Sequence, residues 1–271
     1  MGIFKIIRFS IENECLAPWV KFIWQLDTKN ADYHYKLLPT DCIDVIINLE
    51  GEMVYETESG LIVAPAFHVN GLRSKPSFIH HKNNIRTFGI SFYPYGLFPF
   101  VHSSITGLQD KIISLHELSW DLEQKLGYAV SSKKTGEIVS SINQTLVNAL
   151  SISQTFLDKA KIIQNFLTVA HDTPIKDFCN EWGVNIKTFE RMVLFYTGYT
   201  PKLLRDIKRF QNASNQLSHQ HNCSLAEIAY DNNFTDQTHF IKAFRRFSGV
   251  APRTFQSERI TVKENVTYTY R

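Results

Sequence analysis

Hydrophobic and polar residues alternate over short stretches in the first third of the chain. The stretches with this pattern are 36–39, 44–49, 53–57, 61–64 and 86–92. Turn-forming residues separate them, at Glu50-Gly51-Glu52, Ser59-Gly60 and Lys82-Asn83-Asn84. Alternation with period two predicts strands, and short strands at about ten-residue spacing predict a small antiparallel barrel or sandwich.

The period of the pattern changes further along. Apolar residues recur at helical spacing over 115–126 and 137–150, and the polar stretch 131–136 is the predicted loop between two helices. A further helix is predicted to start within 94–101, over the mouth of the barrel. The apolar stripes of the two long helices fit the core, a subunit interface or both, and we favour the core.

A helix, a short glycine turn and a second helix follow in the C-terminal half. Thr173 is the predicted N-cap of a helix over 175–181, Gly183 suits the left-handed turn that ends it, and a second helix is predicted over 186–196. This order is the helix-turn-helix layout.

The same layout occurs again about fifty residues later. Ser224 and Glu227 form the predicted capping box of a helix over 225–232. Asn233 takes the place of the turn glycine, which asparagine tolerates, and a second helix is predicted over 237–247. One helix over 202–217 joins the two copies.

The two copies match at fixed offsets, which identifies them as a repeat. Four residues of the first copy recur 51 positions later with the same or similar chemistry: Phe189, Arg191, Gly198 and Pro201 correspond to Phe240, Lys242, Gly249 and Pro252. Large apolar residues at helical spacing are predicted core residues, namely Trp182, Phe189, Phe195, Leu225, Phe240 and Phe244.

Residues 228–255, IAYDNNFTDQTHFIKAFRRFSGVAPRTF, resemble the signature of AraC/XylS-type transcription regulators. The first copy and the joining helix fit the same family, and the resemblance covers roughly 155–260. Asn233 stands where the family usually has Gly, Ala251 where it has Ser or Thr, and Gln256 where Arg is common. The last two departures remove a cap or a phosphate contact without threatening the fold.

A looser resemblance connects the first half to the N-terminal domain of one branch of these regulators. Residues 17–24, 38–49 and 88–96 carry it, and it implies a cupin-like effector or dimerisation domain. We therefore expect an α+β protein with a sensor or dimerisation domain over 1–150, a DNA-binding domain over 155–260 and a tail over 261–271. The effector-binding residues stay unassigned, and aromatic residues of this half either fill a core or line a ligand pocket.

The resemblance implies that the second helix of each copy lies in the major groove and reads base edges. The corresponding residues are Lys187, Thr188, Glu190 and Arg191 in the first copy and Gln237, Thr238, Ile241 and Lys242 in the second. Lys and Arg pair with guanine, Gln reads adenine, and an apolar side chain contacts the thymine methyl group. Contacts to phosphates, or ordinary surface charge, are expected of Lys202, Arg205, Lys208, Arg245 and Arg246.

The distribution of charge agrees with an anionic partner for the second half. Residues 1–154 hold 13 Lys and Arg against 15 Asp and Glu, a net charge of −2, and residues 155–271 hold 16 against 11, a net charge of +5. An ordinary basic domain explains the excess about equally well.

Other chemistry finds little support in the sequence. The histidines of the first half lack the H-x-H and carboxylate spacing of a cupin metal site, and we interpret them as polar or half-buried surface. His219, His221 and Cys223 lie in the predicted polar linker. No nucleophile motif or phosphate loop is present, and the four cysteines form no C-x-x-C pair, so they are predicted to be reduced.

We therefore predict a bacterial, cytoplasmic, homodimeric regulator without catalytic residues, metal or cofactor. No apolar run reaches the roughly 20 residues of a membrane helix, and Glu12 and Glu14 follow too early for a signal peptide. Its expected partners are double-stranded DNA, a small-molecule effector and, for an activator, RNA polymerase. The alternatives are a regulator whose first half only dimerises, and a cupin-type enzyme fused to a DNA-binding module.

Overall fold

The computed structural model describes residues 5–29, 33–57, 60–169, 173–219, 223–257, 262–263 and 266–267. Strands dominate the first part of these residues and helices the second, so the predicted α+β fold class is confirmed. The strands are β1 Lys5–Ser10, β2 Val20–Thr28, β3 Tyr33–Leu37, β4 Ile43–Thr57, β5 Gly60–Val63, β6 Phe67–Asn70, β7 Ser77–Phe92, β8 Ile112–Ser114, β9 Val262–Lys263 and β10 Val266–Thr267.

All strand pairs of the sheet are antiparallel, and β7 lies at its centre. One edge of β7 pairs with β4, and the other pairs with β3 near its start and with β2 near its end. β1 extends the sheet beyond β2, while β6 and β8 extend it beyond β4. β10 joins β3, so two short segments of the predicted C-terminal tail belong to the N-terminal sheet.

Two predicted turns are wrong. Residues 44–49 and 53–57 belong to the single strand β4, so Glu50-Gly51-Glu52 is not a turn, and Lys82-Asn83-Asn84 lies inside the strand β7. The pairing of β4 with β7 shifts register on either side of Glu50, which marks a bulge. Gly51 takes a φ of 78° there. A Gly with positive φ that opens a bulge has the same sequence signature as a Gly in a hairpin turn. Ser59 of the remaining predicted turn lies outside the described residues.

Four helices lie in the first half of the chain. They are α1 Phe98–Val101, α2 Leu115–Leu118, α3 Trp120–Ala129 and α4 Thr135–Ala149. One of them, α2, packs against the strands β6 and β8. The predicted helix over 115–126 is split, because Ser119 has an extended backbone and its Oγ accepts from Leu122 N as the N-cap of α3. Leu122, Leu126 and the apolar stripe of α4 are buried within the chain, as the core interpretation requires.

The described residues between 154 and 257 form helices and the short connections between them. These helices are α5 Gln154–Thr168, α6 Ile175–Glu181, α7 Ile186–Thr197, α8 Pro201–His219, α9 Leu225–Asp231, α10 Gln237–Ser248 and α11 Pro252–Ser257. The N-cap of α6 is Pro174 rather than the predicted Thr173. Within the described part of the chain, no helix is long and apolar enough to cross a membrane.

Two predicted core residues are exposed instead. Trp182 follows the end of α6 and is 37% exposed, with its ring stacked on Phe178 at 5.9 Å. Phe195 is 39% exposed and lies 6.0 Å from Phe98 of α1. Helical spacing could not predict the exposure of these side chains, because Trp182 lies at a helix end and Phe195 lies beside the N-terminal half. The four cysteines are free, as predicted.

Candidate nucleic-acid interface

The turns of the two predicted helix-turn-helix units have the same backbone geometry. Gly183 and Asn233 both take left-handed conformations, with φ of 59° and 55°. The residue after each turns back onto the first helix: Val184 N donates to Cys179 O at 2.9 Å, and Phe234 N donates to Ala229 O at 2.9 Å. The asparagine therefore replaces the usual glycine without a change of turn.

The ends of the second helices, α7 and α10, also match. Gly198 and Gly249 have φ of 75° and 79°, a left-handed conformation that favours glycine, and each amide closes the last turn of its helix. The hydroxyl groups of Thr197 and Ser248, one residue earlier, donate to helix carbonyls at 2.7 and 2.8 Å and accept from the amides of the residues at 199 and 250. The repeat predicted from sequence offsets is thus confirmed at the level of individual hydrogen bonds.

Buried aromatic rings hold the second helix of each unit in place. In the first unit, Phe189 of α7 lies 5.3 Å from Phe178 of α6 and 5.1 Å from Phe166 of α5. In the second, Phe240 and Phe244 of α10 pack together at 5.6 Å, and Phe244 lies 5.2 Å from Phe210 of α8. Since these rings are buried, the opposite faces of α7 and α10 are left for a partner.

That outer face holds the residues predicted to read bases. Side chains at seven of the eight positions are exposed, and Ile241 is half-buried against the core. The seven are Lys187, Thr188, Glu190, Arg191, Gln237, Thr238 and Lys242. Asn185 caps α7 by accepting from Lys187 N at 2.9 Å, and Asp236 caps α10 by accepting from His239 N at 2.7 Å. The first turn of each helix is therefore held in place while its side chains stay accessible.

The five residues predicted to contact phosphates differ in their surroundings. Lys202, Arg245 and Arg246 are exposed. Arg205 is half-buried, with its guanidinium 4.8 Å from the ring centre of Phe166. Lys208 places its Nζ 3.8 Å from Oδ2 of Asp41 in the N-terminal half. Arg205 and Lys208 therefore already have contacts within the chain.

The N-terminal half contacts the C-terminal end of α7. Ile105 N donates to the carbonyl oxygen of Phe195 at 3.2 Å, and Thr106 Oγ1 donates to that of Leu194 at 3.1 Å. These carbonyls belong to the last turn of the helix, where that of Leu194 also accepts from the capping amide of Gly198 at 2.9 Å. Residues 105–106 thus hold α7 from its C-terminal end.

A second contact of the same kind holds α10. Lys36 Nζ, on β3, donates to the carbonyl oxygen of Ser248 at 3.2 Å, and Lys36 is buried. A cation at this position also interacts favourably with the dipole of the helix. No local sequence pattern indicates these contacts, because the partners are 90, 88 and 212 residues apart in the chain.

The sheet encloses a cavity of about 90 Å³. Its walls are largely apolar and include Trp24, Leu26 and Ile46. Arg73 also lines it and is 9% exposed, and none of the described residues accepts a hydrogen bond from its Nη2. Asp44 lies at the same cavity and accepts from Ser91 Oγ at 2.5 Å, while burial raises the pKa of its carboxyl group.

Two histidines near this cavity are fully buried, which corrects the prediction that the histidines of this half lie at the surface. His68 Nε2 is 3.0 Å from Tyr55 Oη, its Nδ1 is 2.8 Å from the carbonyl oxygen of Pro65, and burial lowers its pKa to about 4. His81 Nε2 is 3.0 Å from Tyr35 Oη. Tyrosine hydroxyl groups from other strands contact Nε2 of both rings, whereas His81 Nδ1 has no hydrogen-bond partner among the described residues. No local sequence pattern indicates such pairs.

Two family models match parts of the chain. Residues 178–258 match the helix-turn-helix domain, and residues 13–114 match a domain of unknown function, DUF6597. A comparison with curated proteins finds no match.

Three solved structures show limited similarity to this chain. ToxT from Vibrio cholerae O395 is 14% identical over 97% of this chain and 99% of that chain, with a TM-score of 0.45. The DNA-binding domain of AdpA, in complex with a target DNA, is 21% identical over 36% and 89%, with a TM-score of 0.34. The C-terminal domain of AraT, a response regulator from Geobacillus stearothermophilus, is 19% identical over 39% and 88%, with a TM-score of 0.35.

The family match and the repeated geometry fall on the same residues. The model of the helix-turn-helix domain begins in α6 and ends just after α11, so it spans both units and the helix α8 between them. Residues 178–258 therefore form a helix-turn-helix domain with two units, and the domain of unknown function precedes it in the chain.

Proposed function

We propose that this protein reads one DNA site with two helices, α7 and α10, placed in successive segments of the major groove. The observation that carries this proposal is the repeated geometry of the two units, down to the turn, the glycine cap and the hydroxyl bonds at the helix ends. Two units joined by one helix, α8, face the same side of DNA when their recognition segments lie about 10 base pairs apart.

We assign base recognition to the outer faces of α7 and α10. Arg191 and Lys242 occupy equivalent positions and pair with guanine, while Gln237 reads adenine and Glu190 accepts from cytosine. Lys187, Thr188 and Thr238 lie on the same exposed faces, and Ile241 offers an apolar edge to a thymine methyl group.

Phosphate contacts follow from the excess of positive charge in the second half. Lys202, Arg245 and Arg246 are exposed and suit this role. Arg205 and Lys208 join them only if they leave Phe166 and Asp41. We therefore expect the first three to dominate the salt dependence of binding.

We further propose that residues 155–260 form the DNA-binding domain and 1–150 an effector and dimerisation domain, with a tail over 261–271. The cavity supports an effector, since its apolar walls and the buried guanidinium of Arg73 suit a small apolar molecule with an acidic or carbonyl group. In an activator, RNA polymerase is a further partner.

The cavity and the DNA-binding domain meet at the connection between β3 and β4. Leu38, Thr40 and Cys42 line the cavity, and Asp41 between them lies 3.8 Å from Lys208 Nζ and 3.4 Å from Gln211 Nε2 on α8. A molecule that moves this connection therefore acts on the helix that joins the two units.

Selection of genomic fragments with the purified full-length chain tests the DNA proposal. We expect one bipartite site, and we expect Arg191→Ala and Lys242→Ala each to weaken binding by about 1–3 kcal/mol and to relax the preference at one half only. Asn148→Ala, on α4, serves as a surface control. Wild-type affinity and preference in both variants would refute the assignment of α7 and α10.

A thermal-shift screen of small acids and neutral metabolites tests the effector. A ligand of the cavity raises the melting temperature of the native chain and loses this effect in Arg73→Met, which keeps the apolar stem. If no compound binds and the chain is a dimer in solution, the alternative in which the first half only dimerises is favoured.

A further inference from the structure

Three side chains that commonly bind metals meet on neighbouring strands of the sheet. His34 lies on β3, Glu56 on β4 and His80 on β7, and β7 pairs with both other strands. His34 and His80 are direct partners in the register. The potential ligand atoms of all three lie within 4.8 Å of one another.

The two imidazole rings converge on one carboxylate oxygen. Glu56 Oε1 is 2.5 Å from His80 Nε2 and 3.5 Å from His34 Nε2. The rings stack at 4.1 Å with an angle of 10° between their planes, and the Nε2 atoms of both lie near the same oxygen of Glu56. Nitrogen and oxygen ligands lie about 2.0–2.2 Å from zinc, which places neighbouring ligands about 3.3–3.5 Å apart in a tetrahedron. The pair formed by His34 and Glu56 already has this spacing.

We propose that His34, Glu56 and His80 form a binding site for a divalent transition metal ion, with zinc as the reference ion. Two imidazoles and one carboxylate are a ligand set of open zinc sites and leave a fourth position for water. The side chains are between 31% and 39% exposed, so an ion reaches them from solvent. The metal replaces the short contact between His80 and Glu56, and only small movements of three side chains are needed.

Spacing along the sequence could not reveal this cluster. A cupin-type search looks for two histidines on one strand, whereas here each ligand comes from a different strand. The cluster becomes visible only once the register of β3, β4 and β7 is known.

The cluster is connected to the second helix-turn-helix unit through a short chain of contacts. The ring of His34 lies 5.1 Å from that of Phe78, and Phe78 lies 5.3 Å from Nζ of Lys36, which holds the end of α10. His34 and Lys36 are two residues apart on β3, so they project from the same face of the strand. A bound ion therefore stiffens the strand that holds α10. This coupling, unlike the metal site itself, rests on the proposed function in DNA binding.

Zinc titration of the metal-free full-length chain, by calorimetry and by elemental analysis after gel filtration, tests the site. We expect one zinc ion per chain and a loss of affinity of about tenfold or more in His80→Gln and in Glu56→Gln. His116→Gln is the matched control, since His116 Nδ1 also lies 3.5 Å from a glutamate oxygen, that of Glu123. Cobalt binding with ligand-field bands and no sulfur charge-transfer band separates this site from one built on cysteines.

Three outcomes decide the proposal. Zinc that binds the wild type and the His116 variant equally, and the two cluster variants much less, supports the site. Absence of stoichiometric zinc, or equal zinc in all four proteins, overturns it. If zinc binds at the cluster but the affinity for DNA does not change, the coupling to α10 is overturned while the metal site stands. DNA binding by the metal-free chain is a separate test of the proposed function.

Discussion

Gly89 allows a direct test of how the wall of the cavity is packed. It lies on β7 between Trp24 of β2 and Ile46 of β4 in the register of the sheet. A Cβ built at this position comes within 2.0 Å of the Trp24 ring, far inside any normal contact. Gly89→Ala therefore forces the indole away from the sheet, and the neighbouring cavity offers the space into which it moves.

The expected cost follows from this geometry. Overpacking by one carbon in a well-packed core destabilises proteins by about 1–3 kcal/mol. The cavity relieves part of the strain, so we expect a loss of about 1–2 kcal/mol in the free energy of unfolding. Gly136 in α4 is the matched control, because a Cβ there meets no atom within 4 Å. Gly136→Ala should stabilise the helix by up to about 1 kcal/mol.

Urea denaturation followed by far-ultraviolet circular dichroism measures both changes, and tryptophan fluorescence reports the new environment of Trp24. The two variants should shift the midpoint in opposite directions. The reasoning is refuted if Gly89→Ala is as stable as the wild type and its fluorescence is unchanged, since the indole would then not lie over Gly89.

Three further predictions concern the helix cap, the buried histidine and the contact between the two halves. Asp236→Ala removes the hydrogen bond from His239 N and should lower the free energy of unfolding in urea by about 1 kcal/mol. An unchanged free energy of unfolding would contradict the role of Asp236 as a helix cap. Burial lowers the pKa of His68 from its ordinary value of 6.5 to about 4, so below pH 6.5 the unfolded chain binds a proton that the folded chain excludes. Stability should fall by about 2 kcal/mol from pH 7 to pH 5, and less steeply in His68→Gln. Lys36→Met leaves the buried carbonyl of Ser248 without this donor and should lower the free energy of unfolding by about 1–3 kcal/mol. Equal stability of the variant and the wild type would show that this contact does not stabilise the fold.

The sequence predicted the C-terminal half closely because its signals are local. Capping residues, a turn glycine or asparagine, and apolar residues at helical spacing lie within a few positions of each other. The capping box of Ser224 and Glu227, the turn at Asn233 and the caps at Gly198 and Gly249 are all found where the pattern predicts them. Errors occurred where a residue meets a distant part of the chain, as Phe195 meets Phe98.

The first half was predicted less well, since a sheet joins residues that are far apart in sequence. A bulge at Gly51 was mistaken for a turn, and Lys82-Asn83-Asn84 was predicted as a turn although it lies inside β7. The strands β1, β2, β6 and β8 were missed. Arg73 in the cavity, and the meeting of His34, Glu56 and His80, depend on strand register, which short-range patterns do not fix. The contacts of Lys36 and Ile105 with the recognition helices depend on how the two halves pack, which no local pattern encodes.

The central claim is that two helices of one chain read one DNA site, and a methylation-protection footprint on a selected fragment tests it most directly. The account predicts two protected groups of major-groove bases about 10 base pairs apart on one face of the duplex. Arg191→Ala should remove protection from one group and Lys242→Ala from the other. A single protected group, or loss of both groups in either variant alone, would contradict the account.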